Sequence, residues 1–418
     1  MKSDWKQITL GEIYDFSSGL SKSAKEFGFG SPFLSFKTVF DNCYVPDKII
    51  ELANTTEKEQ ERYSIKAGDA FLTRTSETIN ELGMSCVALK NYPGATFNGF
   101  TKRLRPKKRG EVYPLYAAYY FRSSVFRSYI NSMATMTTRA SLNNDMLARL
   151  LMILPSYREQ IIIGDMLYAF DKKISNNQII NRNLSEMAQT IFKDWFVDFC
   201  PYKNGIFEDS DLGLIPSGWK VMKLGDVCTK ITDGSHYSPK GNMQGTHPML
   251  SVKDMTTYGF NYSNCKMIDD KEFHKMQVSD CVPQVDDILI AKDGSYLKEI
   301  FITNEDKEEA ILSSIAIFRP NKNILHPELL LNLLKQSHIK QEVKDNFVSG
   351  SALPRIVLKD FKQLKIIVPS HEAQEQVIKV YRSIRNQIDA NCKENRVTKE
   401  VKDKLLPKLM SGEIQVPI

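Results

Sequence analysis

The chain has no Cys-x-x-Cys pair, no two adjacent prolines, no GxGxxG or Walker-type glycine loop, and no long apolar run. Each absence excludes something. Without the glycine loops, neither dinucleotide nor triphosphate binding is indicated. No stretch approaches the roughly 20 apolar residues that cross a bilayer, and residues 1–5 lack the apolar core of a signal peptide. The seven cysteines (43, 86, 200, 228, 265, 281 and 392) leave one unpaired in any disulfide scheme, so reduced thiols in a cytoplasmic protein are expected. The six histidines are dispersed at 236, 247, 274, 326, 338 and 371, and no metal site is expected. Asp287 and Lys292 outline a nuclease-like carboxylate–lysine pair, but Ile290 stands where a second acid is required. Asp69 and Arg74 bracket the same strand-like run earlier in the chain, which favours a repeated structural strand. No catalytic residue is assigned.

What is present is a duplication. Trp5-Lys6 and Leu10-Gly11-Glu12-Ile13 return 214 residues later as Trp219-Lys220 and Leu224-Gly225-Asp226-Val227. Arg105-Pro106 returns as Arg319-Pro320, and Leu154-Pro155-Ser156 as Val368-Pro369-Ser370, at the same shift. Solenoid repeats run about 20–50 residues; a period near half the chain means two copies of one large unit. Catalysts rarely need two such units, whereas a reader of a two-part target does. At 418 residues the chain is long enough for two or three cores. Its net charge of +6 suits nucleic acid without demanding it.

Each copy has two parts, giving an α+β chain. A mixed globular region occupies residues 1–152 and again 219–366. Within it Ala70–Thr73 and Ile288–Ala291 read as strands, and helices are expected over Leu115–Asn131 and Glu328–Val343, each after a proline suited to a first turn. A helical region follows at 153–200 and 367–418, and residues 201–218 read as a Gly/Pro-rich linker.

The helical regions carry the stronger pattern. Positions 163, 167, 170, 174, 177, 181, 184, 188, 191 and 195 alternate spacings of four and three, a coiled-coil seam, and a second seam lies 214 residues on, from Val377 to Leu409. Both seams are interrupted by two asparagines, Asn177 and Asn181 in one, Asn391 and Asn395 in the other. Two helices of about 37 residues, paired antiparallel and in register, set Asn177 against Asn395 and Asn181 against Asn391, where amides can donate and accept mutually. The rival reading is a solvated face on irregular helices. Pro407 is expected to stop the second helix near Leu406.

At these residues the chain resembles the specificity subunit of type I restriction–modification systems. The matching pieces are Leu154-Pro155-Ser156 with Glu159-Gln160, the helix end Ile191 to Asp198 around Trp195, the stretch Leu214-Ile215-Pro216-Ser217-Gly218-Trp219 leading into Leu224-Gly225-Asp226, and the tail Lys404 to Glu413 through Pro407 and Gly412. The resemblance spans nearly the whole chain and implies two homologous target-recognition domains (1–152 and 219–366), each followed by a long helix. The helices then pair as an antiparallel coiled coil related by a pseudo-two-fold repeat. It further implies that each domain reads half of a bipartite site in double-stranded DNA and that two methyltransferase subunits dock on the helices. A restriction (translocase) subunit can join them. The subunit is expected to hold no cofactor itself, while its partners use S-adenosylmethionine, ATP and Mg. The Asn/Asp-Pro-Pro-aromatic motif of the amino-methyltransferases in such systems is absent, so methylation and cleavage are expected from partners. One departure stands out: Ala373-Gln374 occupies the place of Glu159-Gln160, which implies that the two docking surfaces differ. About 37 residues at about 1.5 Å each span about 55 Å, compatible with domains reaching grooves about 34–36 Å apart if each leans inward.

Phosphate contacts supply affinity and base-edge contacts specificity. The candidates are basic, Ser/Thr/Asn-rich loops. In the first copy these are Lys22, Lys25, Lys37, Arg74, Thr75, Asn98, Lys102, Arg103 and Arg139; in the second, His236, Tyr237, Lys240, Lys253, Lys292, Ser295, Tyr296 and Arg355. Arginine grips guanine bidentately and asparagine does so for adenine; the bland alternative is solvated surface charge. Two other functions compete: an enzyme, opposed by the missing motifs, and a non-DNA protein scaffold using the paired helices for assembly.

Overall fold

The computed structural model describes residues 5–76, 78, 81–133, 140–242, 244–294, 296–350 and 354–417. The chain forms two compact units, one of residues 1–175 with 395–418 and one of residues 176–394. Each unit is built around a four-stranded antiparallel sheet. In the first the order is Tyr14–Ser18, Thr101–Pro106, Ala70–Thr73, Ser85–Val87. In the second it is Cys228–Asp233, Ile315–Pro320, Ile288–Ala291, Ile300–Ile302. The strands Ala70–Thr73 and Ile288–Ala291 are fully buried, and all their residues but Thr73 are apolar, as strands covered on both faces must be.

The repeated sequence fragments close and brace these units. Lys6–Thr9 pairs with Leu151–Leu154, and Lys220–Lys223 with Lys365–Val368, so each copy's start is hydrogen-bonded to its end in matching register. The repeated Arg-Pro explains itself through a buried acid. Arg105 Nε and Nη2 donate to the two oxygens of Asp69 at 2.7 and 2.6 Å. Arg319 does the same to Asp287 at 2.8 Å for both bonds. Each aspartate is fully buried and also accepts a backbone N–H, from Lys66 and from Gln284. The suspected nuclease pair thus dissolves: Asp287 belongs to a structural fork.

Three local expectations are corrected. The helix after Pro114 is two helices, Pro114–Tyr120 and Ser124–Met133, and the helix after Pro327 is likewise Pro327–Leu334 and Ser337–Asn346. The buried Tyr120 and Phe121 pack against Phe126 across the first of these breaks, with ring centroids 5.8 and 4.9 Å apart, so packing outweighs helix continuity. The stretch 201–218 is no bare linker, because Phe207–Ser210 and Gly213–Pro216 pair as a hairpin. Pro407 does not stop its helix, which runs from His371 to Ser411. Proline removes one hydrogen bond and kinks a helix, but Leu409 and Met410 beyond it are buried in the first unit's core, and that burial carries the chain onward.

The first long helix, Tyr157–Phe196, is 40 residues and the second 41. In the second unit their segments run antiparallel: Asn391 Nδ2 donates to Asn181 Oδ1 at 2.7 Å, and Tyr381 Oη to the Ala188 carbonyl at 3.1 Å. Asn181 is 1% and Asn391 6% exposed, so the amide pair is dry. Asn177 donates to Glu394 Oε2 at 2.8 Å, and Asn395 belongs to the other compact unit. In the first unit Ile163 and Leu167 share a core with Leu409 and Met410, and Lys402 contacts Asp171, whose other oxygen accepts from Tyr44 and Tyr119.

The aromatic helix end is core. Phe196, Phe199 and Tyr202 lie with ring centroids 5.7, 5.5 and 5.1 Å from Trp219. The exchange of Glu159 for Ala373 has an internal cause as well. Glu159 is buried and accepts from the indole N–H of Trp5 at 3.2 Å, whereas Trp219 is packed among rings and Ala373 is buried in the same core. The difference between the copies therefore lies beneath the surface.

Candidate nucleic-acid interface

At one end of each four-stranded sheet, three chain crossings are tied together by backbone hydrogen bonds. In the first unit Leu20 donates to the Phe97 carbonyl at 2.8 Å, Gly99 to Leu20 at 2.8 Å, Arg74 to Phe100 at 3.0 Å and Leu142 to Arg74 at 2.9 Å. The second unit repeats all four. Ser235 donates to Ile311 at 2.8 Å, Ser313 to Ser235 at 2.9 Å, Lys292 to Ser314 at 2.9 Å and Ile356 to Lys292 at 3.0 Å. The crossing is so tight that a Cβ at Gly19 would lie 2.2 Å from the Asn98 carbonyl oxygen, and one at Gly234 2.4 Å from that of Ile311. Backbone cannot yield as a flexible side chain does. Gly19→Ala is therefore expected to cost about 1–2 kcal/mol and to displace the 97–100 crossing; chemical-shift changes confined to residues remote from that loop would contradict this.

On this shared frame the side chains differ, beginning with the buried cations. Lys102 reaches Ser18 Oγ at 2.9 Å and Asn144 Oδ1 at 2.7 Å. Burial, and then the nearby Arg74 charge, hold its ammonium below the ordinary lysine value. In the second unit the strand residue at the Ser18 position is Asp233, and the cation comes from just past the end of the Ile288–Ala291 strand: Lys292 Nζ lies 2.6 Å from Asp233 Oδ2. His236 Nε2 contacts the same oxygen at 3.1 Å. Lys102 and Lys292 are both 8% exposed, so they organise the loops from beneath.

The remaining candidates separate by exposure. Arg103 is buried, donates to the Ser64 carbonyl at 2.7 Å and lies over the Phe97 ring, so it is framework. Asn98 Oδ1 accepts from Phe100 N at 2.7 Å and shapes the turn. Lys22 is ion-paired with Glu59 at 2.8 Å, Thr75 pairs with Ser141 in a short strand, and Tyr296 packs half-buried against the second unit's core. Exposed to solvent are Lys25, Lys37, His236, Tyr237, Lys240, Lys253 and Arg355, with Arg74 half-buried at the crossing. Lys37 and Lys253 each follow a helix start capped by Ser35 or Ser251. Arg139 and Ser295 lie outside the described residues.

Sequence reasoning passed over exposed aromatics. Phe100 is 59% exposed at the crossing itself, and Phe27 and Phe29 are exposed on the Phe27–Leu34 strand. The alternation Phe27-Gly28-Phe29-Gly30, with both glycines at positive φ, was the available signal.

Comparison with known proteins shows the same duplication. The family profile described as the type I restriction modification DNA specificity domain matches twice, over residues 2–185 and 216–399, again offset by the repeat. The chain is 26% identical over 424 residues to the type I restriction enzyme MjaIX specificity subunit of Methanocaldococcus jannaschii, covering 99% of this chain and 94% of that one. It is 22% identical over 499 residues to the HindI specificity subunit of Haemophilus influenzae, covering 99% and 100%. Among solved structures, the S subunit of a type I restriction–modification system from M. genitalium is similar at a TM-score of 0.57 and 17% identity, over 97% of this chain and 96% of that one, which shows a common fold. No described helix is long and apolar enough to cross a membrane. The chain thus belongs to the type I restriction–modification specificity subunits, a non-catalytic family, and carries two of its DNA specificity domains.

Proposed function

We propose that each unit reads one half of a bipartite site in double-stranded DNA through the loop crossing at the end of its four-stranded sheet. We further propose that the long helices dock two methyltransferase subunits, to which a restriction subunit can add. The observation that carries the reading is the crossing itself: one backbone frame, built twice, with different side chains on it. A constant frame fixes the position of the loops against the phosphates. The buried Lys102 in one unit, and the buried Lys292 paired with Asp233 in the other, set the loops differently from beneath. Exchange of the exposed Phe100 for Ser314 changes what the crossing itself presents to base edges. Holding no cofactor, such a subunit leaves S-adenosylmethionine, ATP and Mg to its partners.

The deciding experiment is a genome-wide map of methylated adenines with the gene intact and deleted. Loss of one split motif, two short halves around a fixed gap, establishes the reading; an unchanged map removes it. A sharper expectation concerns charge. Each phosphate contact contributes about 0.9 to the slope of log K against log salt. Replacing Lys240, Lys253 and Arg355 together with alanine, in the complex with methyltransferase, is expected to lower that slope by about 2–3 with the unfolding midpoint unchanged. Lys102→Ala acts in reverse, lowering stability because Ser18 and Asn144 lose their buried partner.

A further inference from the structure

The copies differ at one more place, where the long helix begins. In the first unit Tyr113 precedes Pro114 and gives its backbone N–H to Gln160 Oε1; its ring meets that of Tyr157, the first helical residue, with centroids 6.1 Å apart. In the second unit His326 precedes Pro327 and gives its backbone N–H to Gln374 Oε1, and its ring faces His371, the first helical residue, at 6.5 Å. One turn on, Ile161 of the first helix is replaced by Glu375. Two phenol rings and an aliphatic side chain have thus become two imidazoles and a carboxylate, on an unchanged backbone arrangement.

These three groups converge. His326 Nε2 lies 3.0 Å from Glu375 Oε1, and the ligand atoms of His326, His371 and Glu375 all fall within 4.8 Å of one another. Tetrahedral zinc with bonds of about 2.0–2.1 Å holds its ligands about 3.3 Å apart, so the His326–Glu375 pair already has that spacing. His371 stands exposed on the first turn of the helix. His326 is 7% exposed, and its Nδ1 is a buried polar atom without a hydrogen-bond partner. Glu372 in the first turn offsets the positive end of the helix macrodipole.

We propose that His326, His371 and Glu375 form a binding site for a divalent transition metal of the zinc class, with water in the fourth position, pinning the start of the second long helix to the Pro327–Leu334 helix. Imidazole and carboxylate ligands suit such an ion. The first unit, holding Tyr113, Tyr157 and Ile161, has no counterpart. The test uses the full-length chain in reducing buffer, with Zn2+ in equilibrium dialysis and Co2+ as a spectroscopic probe. Expected is about one saturable equivalent of Zn2+ per chain and visible absorption characteristic of tetrahedral Co2+. The triple variant H326Y/H371Y/E375I, which installs the first unit's own residues, is expected to bind at least about tenfold more weakly. The single variant H371Y changes an exposed residue and serves as a second reading if the triple variant is unstable. Binding that persists in H371Y, as cysteine ligation would produce, overturns the site, and so does the absence of saturable binding in the unmodified chain.

Discussion

Asp287→Ala is expected to destabilise the second unit by about 3 kcal/mol, within the 3–5 found when a buried ion pair loses one partner. Asp287 is fully buried, and its carboxylate accepts three hydrogen bonds: two from Arg319 and one from the Gln284 backbone. Removing it deprives the Arg319 guanidinium and the Gln284 N–H of their buried acceptor. The estimate sits at the low end because the Arg319 side chain is 23% exposed and can reach water. Urea unfolding followed through Trp219, which is buried among rings in that unit, reads the change directly. A shift below about 1 kcal/mol would mean that the fork adds no more than a surface pair. The double variant D287A/R319M is expected to recover much of the loss, since two apolar groups leave nothing unpaired.

The second large effect is in the helix pair. Asn391→Leu is expected to cost about 2–3 kcal/mol, because Asn181, almost wholly enclosed, loses the amide that donates to its oxygen at 2.7 Å. N181L alone is expected to cost a similar amount. The double variant N181L/N391L is expected to be more stable than either single one, since an apolar seam makes no polar demand. What it loses is register: a single polar seam position selects one alignment over its neighbours. A double-mutant cycle by urea denaturation, with limited proteolysis of the helices, separates these effects. Simple additivity of the two single losses would show that the amides do not act as a pair.

Much of this architecture was legible along the chain, for a definite reason. The 214-residue shift, the strands at Ala70–Thr73 and Ile288–Ala291, and the seam through Asn181 and Asn391 are periodic or repeated features. A period read along the chain states which residues share a face before anything is folded. The site was less legible. Lys102, Arg103 and Lys292 look in sequence like Lys240 and Arg355, since each is a cation beside polar loop residues. Burial separates them, and burial depends on strands distant in the chain: Lys102 meets Ser18 and Asn144, and Lys292 meets Asp233. Dispersed histidines likewise argued against a metal site, although His371 and Glu375 stand one helical turn apart. The third group, His326, arrives only through the packing of one helix against another.

The sequence by itself determined the duplication, the strand–helix order within each copy, the long helices and the polar break in their seam, because propensity and hydrophobic period are local properties of the chain. Only the tertiary structure decided which basic residues became framework and which stayed exposed, why Pro407 lies inside a helix, and where His326 meets Glu375. Those outcomes are set by which groups lose water together, and that depends on contacts between residues far apart in the chain.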